Sequence, residues 1–298
     1  FMLMCHHKAP HRPWDPDEKH AHMYEDIDIP EPVTFHDDYS GKAEAAKEAK
    51  MRIDRDLNHR DVKAEPPSGL SQKALKSWYY QRYIKDYLRC VASIDDNVGR
   101  ILDYLDEEGI ADDTIIVYTS DQGFFLGDHG WYDKRFMYEE SLKMPFIIRY
   151  PRAIKPGSVT KDFALNVDFA PTFLDYAGIE IPHHMQGRSL RPVLEGNTPD
   201  DWQTSMYYRY WEHLSVEHQV GAHYGLRTHR YKLIYYYGEA LGATDAVDEP
   251  RKPEWELFDL EKDPYEMNNV YHDPRYAETV ESLKEELYRL KQKVGDEE

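Results

Sequence analysis

A long amphipathic segment, which begins near Ser71, limits the fold more than any other part of the sequence. Apolar and aromatic side chains recur there at steps of three and four residues as far as Leu105, the spacing of one buried helix face. Gly109 follows as a C-terminal cap, and the β-branched run 114–119 comes next. That run is too short for a helix and apolar on both faces, so we expect a buried strand of a parallel sheet.

Strands and helices continue to alternate beyond this segment. Residues 145–150 form a second apolar run of strand type, and an apolar stripe within 166–178 predicts a helix that ends at Gly178. Such alternation is typical of a layered α/β sheet.

The chain begins on an apolar run, residues 1–5, that also predicts a buried strand. A chain rarely begins inside its own core, so we expect these 298 residues to be the C-terminal part of a longer protein. The cysteines, Cys5 and Cys90, match neither a disulfide framework nor a thiol metal site, and we expect both thiols to be buried.

The composition changes near residues 197–202. Beyond them, short aromatic strands separated by turns precede a helical pattern over 274–294. We therefore expect an α/β domain over 1–197 and a small antiparallel sheet over 198–298, with the terminal helix covering the sheet. Without such a cover the apolar face of a small sheet would be exposed to water.

The charge balance excludes some partners. The chain has 37 Lys plus Arg and 56 Asp plus Glu, a formal charge of −19, which disfavours nucleic acid as a partner. Its uncharged apolar stretches are far shorter than the roughly 20 residues of a membrane span. A hydrophobic content of 41% is sufficient for a folded core.

Asp121 and Gln122 follow the predicted strand 114–119 after a single residue, Ser120. Ligands of open α/β sheets bind outside the carboxyl ends of the strands. Carboxylate and amide oxygens suit Ca²⁺ or Mg²⁺, so this pair is a candidate for two metal ligands. Taken alone, Asp121 also fits a loop cap and Gln122 a solvated turn residue.

The loop that follows is rich in Gly and Asp and carries His129 and Lys134. A lysine at the end of such a loop is a compact cation able to hold an anionic oxygen. Each of the two residues alone also fits an ordinary structural or surface position. Their proximity in sequence to Asp121 favours a functional loop.

Lys8 and His11 lie at the exit of the predicted strand 1–5, and His11 stands between two prolines, Pro10 and Pro13. The fixed φ of proline restricts the backbone around the imidazole. A histidine can bind an anionic oxygen or protonate a leaving group, and Lys8 adds a second positive charge.

Several segments, taken in order along nearly the whole chain, resemble the sulfatase family of the alkaline-phosphatase-like superfamily. The central one is Ile116 to Gly123, followed by Leu126-Gly127-Asp128-His129-Gly130 and Lys134. The other matching segments are 8–11, 93–99, 171–175, 187–190, 225–228, 231–233, 256–260 and 263–264.

The resemblance implies an α/β, alkaline-phosphatase-like layered sheet, incomplete at its N-terminal side, with a small C-terminal antiparallel sheet plus helix. It implies that Asp121 and Gln122 are ligands of one Ca²⁺ ion and that His11 and Lys134 are catalytic contacts to sulfate. The implied activity is that of a sulfuric ester hydrolase acting on a sulfated carbohydrate, with a formylglycine as nucleophile. The implied location is periplasmic or secreted.

The formylglycine motif, Cys or Ser followed by x-Pro-x-Arg, does not occur in this sequence. We expect it, and the remaining metal ligands, upstream of residue 1. The chain alone is accordingly predicted to hold part of a site and to be inactive.

Five residues are predicted to contact the substrate: Lys8, His129, His218, His223 and Arg227. For the last three, a packed aromatic sheet with solvated histidines explains the sequence as well. Two alternative functions stay open, a phosphodiesterase or phosphonate monoester hydrolase of the same superfamily and a catalytically silent protein that binds sulfated glycans.

Overall fold

The structure is a computed structural model that describes residues 1–296. Its helices are α1 (Glu44–Glu48), α2 (His59–Val62), α3 (Gln72–Glu107), α4 (Glu139–Leu142), α5 (Phe169–Tyr176), α6 (Arg191–Leu194) and α7 (Ala277–Val294). Its strands are β1 (Ile116–Thr119), β2 (Phe125–Leu126), β3 (Tyr132–Asp133), β4 (Phe146–Arg149), β5 (Ser205–Tyr210), β6 (His223–Thr228), β7 (Tyr231–Tyr236) and β8 (Glu254–Asp259).

The long amphipathic segment forms α3, as predicted. Ser71 is its N-cap, and the Ser71 hydroxyl accepts a hydrogen bond from the Ala74 amide at 3.2 Å. This bond satisfies one of the amides that the first helical turn leaves without a partner. Gly109 follows the helix with a φ of +67°, which glycine adopts without strain.

The first compact unit comprises residues 1–38, 50–111 and 124–134. The helix α3 packs its buried face against residues from the other two segments. This core consists of Trp14, Phe35, Ile53, Tyr80, Tyr83, Ile84, Cys90 and Tyr132. The strands β2 and β3 pair in antiparallel fashion, and the loop between them carries His129.

The second compact unit comprises, of the described residues, 39–49, 112–123 and 135–296. Its main element is an antiparallel sheet of strand order β5-β6-β7-β8, as predicted from the aromatic runs. The helix α7 covers one face of this sheet with Leu283, Leu287 and Leu290, which pack in the same core as Leu226 and Leu233. The division of the chain at residue 197 stays a prediction.

Two predictions about strands were wrong. Residues 1–5 form no strand, and Phe1 is 94% exposed. The expectation of two buried thiols is confirmed for Cys90 and was wrong for Cys5, which is exposed on this run. Within the described residues nothing pairs with this run, so its apolar side chains have no core to enter. The second wrong prediction is the parallel sheet expected around 114–119. The strand β1 pairs antiparallel with β4, and Ile147 of β4 is 65% exposed. An apolar run has the same sequence pattern in a parallel and in an antiparallel sheet. The direction of the partner strand is set by the chain topology, so the run alone does not reveal it.

In the part of the chain that the structure describes, no helix is both long enough and apolar enough to pass through a bilayer.

Candidate functional site

The predicted site residues are divided between the two units. Lys8, His11, His129 and Lys134 belong to the first unit, and Asp121, Gln122, His218, His223 and Arg227 belong to the second.

His11 lies in an exposed turn of the first unit. The turn is closed by the His11 amide, which donates to the Lys8 carbonyl at 3.0 Å, and by the Trp14 indole, which donates to the Pro10 carbonyl at 2.7 Å. The Nδ1 atom of His11 lies 2.8 Å from the Arg12 carbonyl. Because a carbonyl only accepts, Nδ1 carries the proton there, which leaves Nε2 of the neutral ring as an acceptor. Lys8 is exposed beside this turn.

Sequence reasoning missed the residue that anchors this turn, Arg12. Its guanidinium forms a two-pronged contact with the buried carboxylate of Asp61, with Nε 3.0 Å from Oδ1. It also lies 5.1 Å from the ring centroid of Tyr132. No local pattern links residues 12 and 61, so the pairing is visible only in the fold.

Lys134 follows β3 in the first unit. Its amide donates to Asp133 Oδ1 at 2.9 Å, while its ammonium is 3.7 Å from the same oxygen and 5.8 Å from the ring centroid of Phe124. Asp133 is buried with a φ of +71°, a left-handed conformation that is uncommon for aspartate. The ammonium therefore lies beside a fixed carboxylate, beyond direct hydrogen-bonding distance from it.

His129 is fully buried in the first unit. Its amide donates to the Thr34 hydroxyl at 2.9 Å, and its Nδ1 lies 2.9 Å from Asp37 Oδ2. These contacts fasten the loop between β2 and β3 to residues 34–37. The predicted role of His129 as a substrate contact stays a prediction.

Asp121 and Gln122 follow β1 in the second unit, where the Asp121 side chain is exposed. The Ser120 hydroxyl donates to the Gln122 carbonyl at 2.7 Å, and the Asn166 amide group lies 3.4 Å from the Asp121 carbonyl. The side chains offer one carboxylate and one amide oxygen, which are donors of the type that Ca²⁺ takes. Among residues 1–296 no group of three His, Cys, Asp or Glu side chains is arranged to hold a metal. The pair thus fits a hard cation in donor type and supplies only part of its coordination.

Arg135, the residue after Lys134, was not singled out from the sequence. It has a φ of +128°, and strained backbone of this kind is concentrated at functional positions. Its Nη2 lies 2.8 Å from His218 Nε2 and its Nη1 lies 3.6 Å from Glu212 Oε2. Because arginine only donates, Nε2 of the buried His218 is the acceptor. The signal in the sequence that could have identified Arg135 is its position next to Lys134, as a second cationic residue at the end of a glycine-rich loop.

Arg227 forms an ion pair with a carboxylate of the same unit. Its Nε lies 3.1 Å from Glu139 Oε1 and its Nη2 lies 3.0 Å from Glu139 Oε2. This bidentate pair fixes the guanidinium and ties Glu139 to β6, the strand that carries Arg227. Its predicted role as a substrate contact stays a prediction.

His223 is fully buried among aromatic rings of the second unit. Its Nδ1 donates to the Gly221 carbonyl at 2.8 Å. The surrounding rings are those of Phe136, Tyr208, Tyr210 and Tyr236, at centroid distances of 5.0 to 6.2 Å. Burial lowers the pKa of His223 from 6.5 to about 4, because the charged ring would lose its hydration. The folded protein therefore holds this ring neutral.

This burial predicts a pH-dependent stability. Between pH 6.5 and pH 4 the unfolded chain protonates His223 while the folded chain does not, so the stabilisation is complete above pH 6.5 and is lost as the pH falls towards 4. We expect about 2 kcal/mol of the free energy of unfolding to be lost from this residue between pH 7 and pH 5. The free energy of unfolding is measured with urea at both pH values for the wild type and for His223→Asn. Between pH 7 and pH 5 it should fall less in the variant than in the wild type. The exposed His183→Asn is the control, and equal losses in all three proteins would contradict the prediction.

Two family models match the chain. The model described as Sulfatase matches residues 1–179, and the model described as N-sulphoglucosamine sulphohydrolase, C-terminal, matches residues 127–293.

Individual proteins are similar over almost all of this chain. The N-acetylglucosamine-6-O-sulfatase of Bacteroides thetaiotaomicron is 44% identical, over 99% of this chain and 58% of its own length. A solved structure in complex with its substrate D-glucosamine-2-N,6-O-disulfate has a TM-score of 0.89 and 42% identity, over 97% of this chain and 65% of the other. The phosphonate monoester hydrolase of Silicibacter pomeroyi has a TM-score of 0.72 and 26% identity, over 95% and 54%. The chain thus spans less than two thirds of each of these proteins.

Proposed function

We propose, because this chain belongs to the sulfatase family, that the whole protein hydrolyses a sulfate ester of a carbohydrate. Its fold is the α/β fold of the alkaline-phosphatase-like superfamily, with a C-terminal antiparallel sheet and a covering helix. The observation that carries the proposal is the 44% identity with an N-acetylglucosamine-6-O-sulfatase over 99% of the chain. We propose a 6-O-sulfated glucosamine as the substrate and a periplasmic or secreted location.

Lys134 is proposed to hold an anionic sulfate oxygen. Its ammonium lies 3.7 Å from Asp133 and against the Phe124 ring, so its position is restricted while its donors stay available. A lysine in this setting stabilises charge that increases on the sulfate oxygens as the ester bond breaks.

His11 is proposed to protonate the leaving alcohol oxygen. In the protonated ring Nδ1 keeps its bond to the Arg12 carbonyl, and Nε2 carries the proton that is transferred. The exposed turn leaves this nitrogen accessible to a substrate. The Arg12 and Trp14 contacts hold the turn in place.

Asp121 and Gln122 are proposed to ligate a divalent cation, which the sulfatase family supports in general; we propose Ca²⁺. When bound, such a cation supplies positive charge that offsets the charge of the sulfate group. The resemblance also implies a formylglycine nucleophile, for which this chain contains no matching motif.

A phosphonate monoester hydrolase is the second candidate. The TM-score of 0.72 to such an enzyme supports hydrolysis of a phosphonate monoester as the alternative activity. The identity to that enzyme is 26%, against 44% for the N-acetylglucosamine-6-O-sulfatase. A protein that binds sulfated glycans without cleaving them is the third.

The test is an assay of the full-length protein with three matched substrates, glucosamine 6-O-sulfate, glucosamine N-sulfate and an aryl phosphonate monoester. We expect inorganic sulfate, measured by ion chromatography, to be released from the 6-O-sulfate. Faster turnover of the phosphonate would favour the second candidate. Binding of the 6-O-sulfate without any release would favour the third.

A further inference from the structure

A cluster of buried charges lies on the face of the C-terminal sheet that α7 does not cover. Leu233 points toward α7, so its neighbour Lys232 points to the other face. Lys232 is fully buried, and its Nζ lies 2.6 Å from Glu266 Oε1 and 3.0 Å from Glu139 Oε1. Arg227 binds the same Glu139 carboxylate. Buried ions need such close partners, because each has lost its hydration.

The cluster fastens the start of α4 to the sheet. The Glu139 amide donates to Glu266 Oε2 at 2.7 Å, so both the backbone and the side chain of Glu139 are held. The preceding hydroxyl of Tyr138 lies 3.0 and 3.2 Å from the two carboxylate oxygens of Glu256. Glu139, the first residue of α4, is therefore held by Lys232, Arg227 and Glu266.

The other end of α4 holds the loop that carries Asp121 and Gln122. The amide of Gly123, the next residue, donates to the Ser141 carbonyl at 2.8 Å. A Cβ atom at Gly123 would lie 2.0 Å from the Glu140 carbonyl oxygen. Only a glycine permits so close an approach of the two backbones. One helical turn thus joins the buried charges to the residue that directly follows the predicted metal ligands.

We propose that Lys232, Glu139 and Glu266 are positioning residues for the cation ligands Asp121 and Gln122, and that they act through α4 and Gly123. The inference rests on the ligand assignment made under the proposed function. Residues that contact the ligands of a metal, without contacting the metal, fix the orientation of those ligands and in this way raise the affinity for the metal. The C-terminal sheet then contributes to cation binding without supplying a ligand.

The first test perturbs the contact at Gly123. Full-length protein is treated with chelator and titrated with Ca²⁺ alone by calorimetry. We expect Gly123→Ala to raise the Kd for Ca²⁺ by about tenfold or more, as is usual for groups that orient ligands. Gly99→Ala is the matched control, because nothing lies within 4 Å of a Cβ at that position.

The second test perturbs the distant charges. Lys232→Met alone leaves two buried carboxylates without their ammonium and can unfold the chain, so the variant is the double replacement Lys232→Met and Glu266→Gln. Glu139 keeps Arg227 in this variant. We expect a cooperative thermal transition together with a Kd raised about tenfold. Lys284→Met is the control, since this lysine lies on α7 and outside the cluster.

Asp121→Asn separates the two proposals. If it leaves the Kd unchanged, the ligand assignment is wrong and the inference falls with it. If it weakens binding while Gly123→Ala and the double variant bind as the wild type does, the assignment stands and the inference alone is overturned.

Discussion

Lys134→Ala is expected to lower kcat for sulfate release by about 10²- to 10³-fold, the usual loss when a donor to the developing charge is removed. The ammonium lies 3.7 Å from Asp133 Oδ1, beyond direct hydrogen-bonding distance, so its N–H donors stay available to a sulfate oxygen. Its interaction with sulfate is expected to strengthen as the ester bond breaks, so the loss should fall on kcat more than on KM. The measurement is steady-state sulfate release by the full-length protein.

Two further variants make the result specific. Lys155→Ala removes an exposed lysine and should leave kcat unchanged. Lys134→Arg keeps the charge but replaces a compact ammonium with a planar guanidinium, so we expect partial activity. A loss below about tenfold in Lys134→Ala would show that this lysine does not act on the transition state.

Trp14→Ala is expected to lower the free energy of unfolding by about 3–5 kcal/mol, the range for truncating a large buried aromatic residue. Trp14 is fully buried in the first unit, and its ring centroid lies 4.6 Å from that of Tyr83. The same side chain bonds the Pro10 carbonyl, so its loss also releases the turn that carries His11. Urea denaturation followed by circular dichroism measures the change.

Trp14→Phe separates packing from hydrogen bonding. It keeps most of the buried ring but leaves the Pro10 carbonyl without its donor, and we expect a loss of about 1 kcal/mol. Tyr104→Ala, at a position of α3 that is 58% exposed, should change stability by no more than about 0.5 kcal/mol. Equal effects of Trp14→Ala and Tyr104→Ala would refute the structural role of Trp14.

Much of the fold could be predicted from periodicity. The helix α3 and the four C-terminal strands have long or repeated patterns whose spacing matches one buried face. The direction of the strand that pairs with β1 could not be predicted, because an apolar run is compatible with both parallel and antiparallel pairing. Residues 1–5 were wrongly predicted to be buried, since hydrophobicity indicates a tendency to be covered and not what covers it.

The candidate site was predicted less completely. Asp121, Gln122 and His11 were selected from their positions after predicted strands, Lys134 from its position at the end of the loop, and all four from the resemblance to sulfatases. Their functional roles stay predictions. The contacts of Arg12 with Asp61, and of Lys232 with Glu139 and Glu266, join residues far apart in the chain. No spacing rule links such residues, so they were not found.

The sequence by itself determined the family and the chemical types of the candidate residues, because side-chain chemistry and local spacing do not depend on long-range contacts. Only the tertiary structure decided how those residues are held. It left His11 exposed and buried His129 and His223, although all three are histidines. It also joined Gly123 to the buried charges through α4. Burial and partners depend on how distant segments pack, and local sequence does not encode that packing.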